Sequence, residues 1–205
     1  PIHAAVLDFS KAFDKVSHGL LVEKLLETHI DSSIIKWIKD FLCGRRQRVV
    51  IQGVTSSSLT VTSGVPQGSV LGPSLFLVYI NDIGSSLRHS SISLFADDAL
   101  LYCHIEQPID MFLFQMDLLS LEQWAERWNM VFNGNKCQIV LFDLRNLIDK
   151  NMVSYTLYGV PLEIVESFKY LGVRVSNDFS WDRHIDDITS RAYQRLELVK
   201  KILYR

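Results

Sequence analysis

Residues 94–102 read LFADDALLY, an apolar run interrupted by the adjacent aspartates Asp97 and Asp98. The segments on either side, 92–96 and 99–104, have the apolar pattern of short strands. We therefore predict a hairpin with a tight turn across the two aspartates. Burying an unpaired carboxylate is costly, and an adjacent like charge increases that cost. The pair indicates a site that attracts cations rather than a simple turn.

A third aspartate follows the stretch IHAAVLD at residues 2–8, which predicts a short buried strand ending at Asp8. If Asp8 joins Asp97 and Asp98, two of these charges about 4 Å apart repel by about 4 kcal/mol at an effective dielectric of about 20. A cluster of this kind needs divalent cations. Because its ligands are all oxygens, it favours Mg²⁺ or Mn²⁺ over zinc.

Residues 63–69, SGVPQGS, predict a loop ahead of an apolar helix at about 72–87. Glycine lets a backbone approach a flat ligand closely, and the Gln67 side chain offers both a donor and an acceptor. Turns with glycine and proline are common before helices, so the loop by itself is more typical of a simple connection.

The rest of the chain interleaves helices and strands without a regular βαβ rhythm, which favours an α+β fold. Helices are predicted at 17–28 with a cap at Ser17, at 31–44 with a cap at Asp31, at 108–128 and at 181–203. Strands are predicted at 46–52, 59–62, 136–142, 153–158 and 168–175, with a hairpin loop at 53–58. Trp124 and Trp128 are one helical turn apart and are expected in the core.

The composition is that of a globular protein: 205 residues, 48% hydrophobic and 21% charged. Disorder, collagen-like repetition and a coiled coil are excluded, and a net charge of −2 argues against nucleic-acid binding through bulk positive charge. The three cysteines predict reduced, mostly buried thiols in an intracellular protein. The apolar run at 70–80 is too short to span a membrane, and no signal peptide is visible. The abrupt start on a strand indicates a piece of a longer protein.

The motifs LDFSKAFDKV at 7–16, SGVPQGSVLGP at 63–73 and FADDALLY at 95–102, in this order, resemble the palm motifs of reverse transcriptases. Their wording is most similar to non-LTR, LINE-type retrotransposon polymerases. NGNKC at 133–137 and YLGV at 170–173 resemble the two palm motifs that follow. The resemblance implies an α+β polymerase palm at 1–180, its antiparallel sheet packed against helices. It also implies a fingers-side insertion at about 31–63 and a helix at 181–205 leading toward a thumb.

The resemblance also implies a metal site. Asp8 and Asp97 match the two carboxylates that bind a pair of Mg²⁺ ions, for which Mn²⁺ is an alternative. Asp98 matches the third acidic position, and Phe9 matches a residue whose carbonyl binds a metal. Lys136 matches a lysine that protonates the pyrophosphate leaving group, and a solvated lysine at a strand end is an equally weighted alternative.

The same resemblance assigns the contacts to the incoming nucleotide. They would come from the turn after the first motif and from the loop of the second: Phe9, Ser10, Lys11, Ala12, Phe13, Gln67 and Gly68. Phe13 matches a steric gate, a ring under the sugar that leaves no room for a 2′-hydroxyl. The alternative for Phe13 is an ordinary core residue.

Template and primer contacts would come from three further groups. They are the loop residues Gly64, Pro66 and Gln67, the cluster Arg45, Arg46 and Arg48, and the primer-grip hairpin Tyr170, Leu171 and Gly172. A solvated basic face is the alternative for the arginines, as it is for Arg191, Arg195, Lys200, Lys201 and Arg205 on the last helix. Ordinary hairpin packing is the alternative for the primer grip.

The function implied is RNA-directed DNA polymerisation within a retrotransposon polyprotein. Deoxynucleoside triphosphates would extend a DNA primer on an RNA template, in the nucleus or cytoplasm and without a membrane partner. Fingers elements ahead of the first motif and most of a thumb are missing from the sequence. An inactive truncated remnant, or a scaffold co-opted to bind RNA or protein, is therefore the alternative. The acidic cluster favours the polymerase, since a scaffold has no physical need of it. The sequence does not predict the oligomeric state.

Overall fold

The computed structural model describes residues 1–145, 147–149 and 152–203, and its centre is a five-stranded sheet. The strand order is β11-β8-β1-β7-β6, from β1 (Ile2–Asp8), β6 (Ser91–Phe95), β7 (Asp98–His104), β8 (Gln138–Phe142) and β11 (Glu163–Val165). The pairs are antiparallel apart from β8 with β11, which is parallel. The predicted α+β fold with a mainly antiparallel sheet is confirmed.

The middle strand, β1, is hydrogen-bonded on both edges. It pairs with β7 from Ile2 opposite His104 to Asp8 opposite Asp98, and with β8 on its other side. Its small apolar residues, including Ala4 and Ala5, are buried. Because both edges are paired, the sheet fixes the position of the aspartate at the strand's end.

Helices supply the other part of the core. They are the short α1 (Ala12–Lys15), then α2 (His18–Leu26), α3 (Ser32–Leu42), α4 (Leu71–Ile80) and α5 (Pro108–Arg127). The carboxylate of Asp31 caps α3 by accepting a hydrogen bond from the Ser33 N–H at 2.8 Å, as predicted. Ser17 precedes α2, but its side chain makes no capping bond there. Trp124 and Trp128 are each 6% exposed, which confirms their place in the core.

The apolar helix after the 63–69 loop is shorter than predicted. It ends at Ile80, and a 3₁₀ helix follows at Ile83–Ser86. Asp82 explains the break, since its carboxylate accepts hydrogen bonds from the Lys24 ammonium at 2.5 Å and from the Trp124 indole at 3.0 Å. These tertiary bonds hold the chain in a turn where the local pattern favours more helix.

The hairpin between the first two motifs differs from the prediction. β2 (Arg46–Gln47) pairs with β5 (Leu59–Thr60), and β3 (Val50–Ile51) pairs with β4 (Val54–Thr55). The turn therefore lies at Gln52 and Gly53, with φ angles of 50° and 83°, and the predicted loop at 53–58 contains strand. Two consecutive residues with positive φ match the twist of a two-residue hairpin turn.

The C-terminal part contains two smaller hairpins and a helix. β9 (Thr156–Leu157) pairs with β10 (Val160–Pro161), and β12 (Ser167–Tyr170) pairs with β13 (Val173–Ser176). The strand predicted at 153–158 is thus shorter, and the one predicted at 168–175 is two strands. The last helix, α6 (Asp182–Leu203), has no buried residue among those described. In the described part of the chain, no helix is long and apolar enough to cross a membrane.

The three cysteines are free thiols in different surroundings. Cys137 is buried, Cys103 is half-buried and Cys43 is exposed. The prediction of mostly buried thiols is wrong for Cys43, because α3 ends one residue earlier and the chain leaves the core there.

Candidate active site

The three predicted aspartates lie at the same end of the sheet. Asp8 ends β1, and Asp98 begins β7 directly opposite it. Phe95 pairs with Asp98, so the turn consists of Ala96 and Asp97, one residue earlier than predicted. Ala96 has a φ of 51°, a value that turns of this length require. Asp8 and Asp98 are thus fixed on neighbouring strands, and Asp97 occupies the turn beside them.

The carboxylates repel one another. Burial raises the pKa of Asp98, and the charges of Asp97 and Asp8 raise it further. The ammonium of Lys136, although 67% exposed, lies 3.5 Å from Oδ2 of Asp8 and offsets part of the negative charge. Lys136 therefore lies at the site, in the turn before β8, where both its predicted catalytic role and its solvated alternative are compatible with the geometry.

The donor set fits a hard divalent cation, since every side-chain donor is a carboxylate oxygen and each gains from a nearby positive charge. Across residues 1–145, 147–149 and 152–203, however, no three His, Cys, Asp or Glu side chains are close enough to form a preassembled metal site. Binding would have to draw the carboxylates of Asp8, Asp97 and Asp98 together.

The backbone around Asp8 is held by the segment that contains the NGNKC motif. The Asp8 carbonyl accepts a hydrogen bond from the Asn133 N–H at 2.7 Å, and the Ser10 N–H donates to the Val131 carbonyl at 2.8 Å. The Phe9 ring stacks on Phe132 at 4.5 Å in the core. Neither of the two backbone bonds uses the Phe9 carbonyl, so its predicted role as a metal ligand is compatible with this arrangement.

The turn after Asp8 carries the predicted nucleotide contacts. Lys11 adopts the left-handed conformation, with φ 52° and ψ 50°, and precedes α1. Lys11 is exposed and Ala12 is buried. Phe13 is half-buried, and its ring stacks on Phe76 of α4 at 4.4 Å. One side of the Phe13 ring therefore packs in the core, as the alternative expects, while part of the residue stays accessible, as a gate requires.

The loop of the second motif packs on the residues that follow this turn. The Val65 N–H donates to the Phe13 carbonyl at 2.9 Å, and the Ser63 hydroxyl donates to the Asp14 carbonyl at 2.9 Å. Gly64 is buried, Pro66 is half-buried, and Gln67 and Gly68 are exposed. The structure thus brings the first two motifs into direct contact and leaves Gln67 and Gly68 on the surface, accessible to a ligand.

The predicted primer-grip residues form the tip of the β12–β13 hairpin. Leu171 and Gly172 make the turn with φ angles of 48° and 87°. Burial raises the pKa of the Tyr170 hydroxyl, and the charge of Asp98 raises it further.

The basic clusters are less closely tied to the site. Arg46 donates to the Ser58 hydroxyl at 3.1 Å and to the Ser58 carbonyl at 3.3 Å, so its guanidinium braces its own hairpin. Arg48 is exposed and Arg45 is half-buried. On α6, Arg191 pairs with Asp187 and Lys200 pairs with Glu197. Arg205 lies outside the described residues.

Comparison with known proteins agrees with the motif order. The family model described as "Reverse transcriptase (RNA-dependent DNA polymerase)" matches residues 2–175, which is most of the chain. The chain belongs to the reverse transcriptase family. The resemblance to polymerases of non-LTR retrotransposons is also confirmed by its relatives, which are polymerases of mobile elements.

Two of these relatives come from Drosophila. This reverse transcriptase domain is 32% identical over 193 residues to the "RNA-directed DNA polymerase from mobile element jockey" of Drosophila funebris, covering 89% of this chain and 20% of that protein. It is 32% identical over 190 residues to the "Probable RNA-directed DNA polymerase from transposon X-element" of Drosophila melanogaster, covering 90% and 20%. The chain therefore spans about a fifth of the length of these relatives.

Solved structures show the same fold. A telomerase from Candida tropicalis, truncated from its C-terminal domain, has a TM-score of 0.57 at 11% identity, covering 85% of this chain and 34% of that one. A telomerase from Candida albicans, in complex with a TWJ fragment of telomeric RNA, has a TM-score of 0.56 at 14% identity, covering 87% and 31%. At these identities the likeness concerns the fold alone, a polymerase palm-like arrangement.

Sequence reasoning missed two side chains of this reverse transcriptase domain. His18 meets the loop of the second motif, with its Nε2 2.9 Å from the Gly64 carbonyl. Lys24, only 6% exposed, lies 3.8 Å from the centre of the Trp128 ring and donates to the Tyr79 carbonyl. Burial lowers the pKa of Lys24, while its bond to Asp82 opposes that change. The signal for Lys24 was its spacing, one turn after Leu21 on the buried face of α2.

Proposed function

We propose that this chain is the catalytic palm of an RNA-directed DNA polymerase encoded by a non-LTR retrotransposon. It would extend a DNA primer on an RNA template with deoxynucleoside triphosphates, inside the cell in the nucleus or cytoplasm. We assign residues 1–180 to the palm, with about 31–63 facing the fingers, and 181–205 to a helix leading toward a thumb.

One observation carries the proposal: Asp8 and Asp98 are register partners on neighbouring strands, with Asp97 in the turn between β6 and β7. Such a concentration of like charge costs stability unless cations share it. Asp8, Asp97 and Asp98, with the Phe9 carbonyl, would hold two Mg²⁺ ions, or Mn²⁺ in their place. Bound Mg²⁺ supplies charge neutralisation at the attacking primer hydroxyl and at the leaving pyrophosphate.

The chain's own groups would position the nucleotide. The backbone N–H groups of Lys11, which is left-handed, and of Ala12 after it would form the kind of concavity that binds phosphate oxygens. Phe13, braced by Phe76, would present its free part to the sugar and exclude a 2′-hydroxyl. Ser10, fixed by its bond to Val131, would complete this turn.

Other groups would act on the template, the primer and the leaving group. Gly64 and Pro66 seat the loop, so that Gln67 and Gly68 can pack against the nascent base pair. Tyr170, Leu171 and Gly172 would steady the primer end, while Arg45, Arg46 and Arg48 would contact template phosphates. Lys136, next to Asp8, would donate a proton to pyrophosphate as the bond to the primer forms.

The test is extension of a labelled DNA primer on an RNA template with Mg²⁺ and the four deoxynucleotides. It should be run with the chain alone and with the longest natural protein that contains it. Asp97→Asn removes one carboxylate charge and should reduce extension to background. Asp40→Asn is the matched control, because Asp40 is an exposed aspartate on α3 and should leave extension unchanged.

The outcomes separate the alternatives. Extension that survives Asp97→Asn would refute the assignment of the metal site. If neither the wild-type chain nor the longer protein extends the primer, the polymerase proposal is refuted. That result would favour the inactive remnant or co-opted scaffold instead.

A further inference from the structure

The first two motifs are joined by a set of hydrogen bonds that the function proposed above leaves unexplained. They connect residues 13–18, the segment after the catalytic strand, with the loop at 63–67. The backbone bonds run from the Gly64 N–H to the Val16 carbonyl at 2.8 Å and from the Val65 N–H to the Phe13 carbonyl at 2.9 Å. At the exposed end, the Gln67 amide lies 3.4 Å from the Asp14 carboxylate and donates to it.

The His18 side chain adds a further hydrogen bond between the two segments. His18 is the first residue of α2, it is half-buried, and its Nε2 lies 2.9 Å from the Gly64 carbonyl. A carbonyl can only accept, so Nε2 must carry the hydrogen. Both the neutral imidazole with its proton on Nε2 and the imidazolium can therefore make this bond. Gly64 is then held on both sides, through its N–H by Val16 and through its carbonyl by His18.

The approach at this point is very close. A Cβ placed on Gly64 would lie 2.9 Å from the Asp14 Cα and 2.9 Å from the Asp14 carbonyl oxygen. Gly64 also has a φ of 89°, which a residue with a side chain rarely adopts. The loop thus packs directly on the backbone that follows Phe13. A change in the distance between the loop and that backbone would also shift Gln67, three residues after Gly64.

We infer that His18 is a positioning residue that fixes the distance between the Gly64–Gly68 loop and the nucleotide turn at Lys11–Phe13. This inference rests on the proposed function, since it assigns His18 to the template and nucleotide side of that same site. The side-chain hydrogen bond described for His18 goes to the Gly64 carbonyl and not to a carboxylate. His18 acts through Gly64, so its loss should weaken nucleotide binding more than it slows the chemical step.

The first measurement does not depend on activity. Hydrogen–deuterium exchange is followed at the Gly64 and Val65 amides in the wild type and in variants of His18. His18→Leu removes the donor, and His18→Asn keeps polarity with a side chain too short to reach. Both should speed exchange about threefold to tenfold, the range expected for one hydrogen bond. His18→Gln can donate from a similar position and should restore protection.

The control variant is His29→Leu, because His29 is an exposed histidine that follows α2. It should leave exchange in the loop unchanged. The amides of β1 and β7 serve as an internal reference and should not respond to any of the variants. Unchanged loop exchange in both His18→Leu and His18→Asn would overturn the inference. If His18→Leu does not fold, the comparison of His18→Asn with His18→Gln decides the same question.

The second measurement is steady-state primer extension on RNA in whichever form of the wild type is active. His18→Leu and His18→Asn should raise KM for the deoxynucleotide about threefold to tenfold, with kcat within about twofold and rescue by His18→Gln. A fall in kcat with unchanged KM would overturn the positioning role. No extension by the wild type would refute the proposed function, while the exchange data would still judge the His18 contact separately.

Discussion

Replacing Gly64 with alanine tests how tightly the two motifs are joined. The substitution has two costs in the folded state. The first is the left-handed backbone, which costs a residue with a Cβ about 1–2 kcal/mol. The second is contact, because the new Cβ would lie 2.9 Å from Asp14 backbone atoms and 3.0 Å from the Phe13 carbonyl oxygen. Backbone atoms cannot swing aside like the end of a side chain, so the loop or the segment after Phe13 must move.

Gly68 provides a matched comparison four residues later. Its φ is 80°, similar to the 89° of Gly64, but nothing lies within 4 Å of a Cβ placed there. Gly68→Ala therefore has the backbone cost alone. Both substitutions restrict the unfolded chain equally, so that effect cancels in the comparison. Overpacking typically costs about 1–3 kcal/mol, which is the extra loss of stability expected for Gly64→Ala over Gly68→Ala.

The assay is urea unfolding followed by circular dichroism, with the free energy of unfolding extrapolated to water for the wild type and both variants. The expected difference is a large part of the ~5–15 kcal/mol that stabilises a typical domain. Equal losses in Gly64→Ala and Gly68→Ala would show that the loop is not seated on the Phe13–Asp14 backbone. That result would refute the close approach and weaken the case for His18.

Three further expectations concern single side chains. Phe13→Ala should raise incorporation of ribonucleotides relative to deoxynucleotides in competitive primer extension, and an unchanged ratio in an active enzyme would remove the gate role. Burial lowers the pKa of His3 from 6.5 to about 4, so the unfolded chain binds the proton more readily and stability should fall as the pH drops from about 6.5 toward 4. Thermal unfolding across that pH range checks this. In His3→Leu the midpoint of unfolding should depend less steeply on pH, and an unchanged dependence would contradict the assignment of this effect to His3. Asp98→Asn removes a carboxylate that Asp97 and Asp8 repel, so at neutral pH without metal it should raise the midpoint of thermal unfolding, and a lowered midpoint would speak against the repulsion.

The sequence predicted best where local pattern and tertiary structure agree. The strand at 2–8 matches β1 residue for residue, because its buried apolar run and the terminal aspartate are local features. The predicted hairpin turn at Asp97 and Asp98 is displaced by one residue in the structure. Composition marks a turn there, but pairing register decides which residues occupy it, and Phe95 opposite Asp98 puts Ala96 in the turn.

The features that were missed depend on contacts between distant parts of the chain. The helix after the second motif stops at Ile80 because Asp82 bonds to Lys24 and Trp124, and neither partner is near in sequence. The bond from His18 to Gly64 spans 46 positions, and no local pattern encodes it. Carboxylates, by contrast, were found from sequence because their chemistry is unusual inside an apolar run.

The location of the three aspartates also bears on how copies of a mobile element accumulate mutations. They lie at the end of β1 and in the β6–β7 hairpin, outside the apolar core that holds the fold together. When one of these aspartates mutates, the encoded protein loses a repulsive charge and keeps its buried residues. It should therefore still fold and should be slightly more stable. Cellular quality control acts on misfolded chains and would not remove such a protein. If the three carboxylates bind metal ions as proposed, only selection for copying maintains them, and an element that has stopped copying should lose them early.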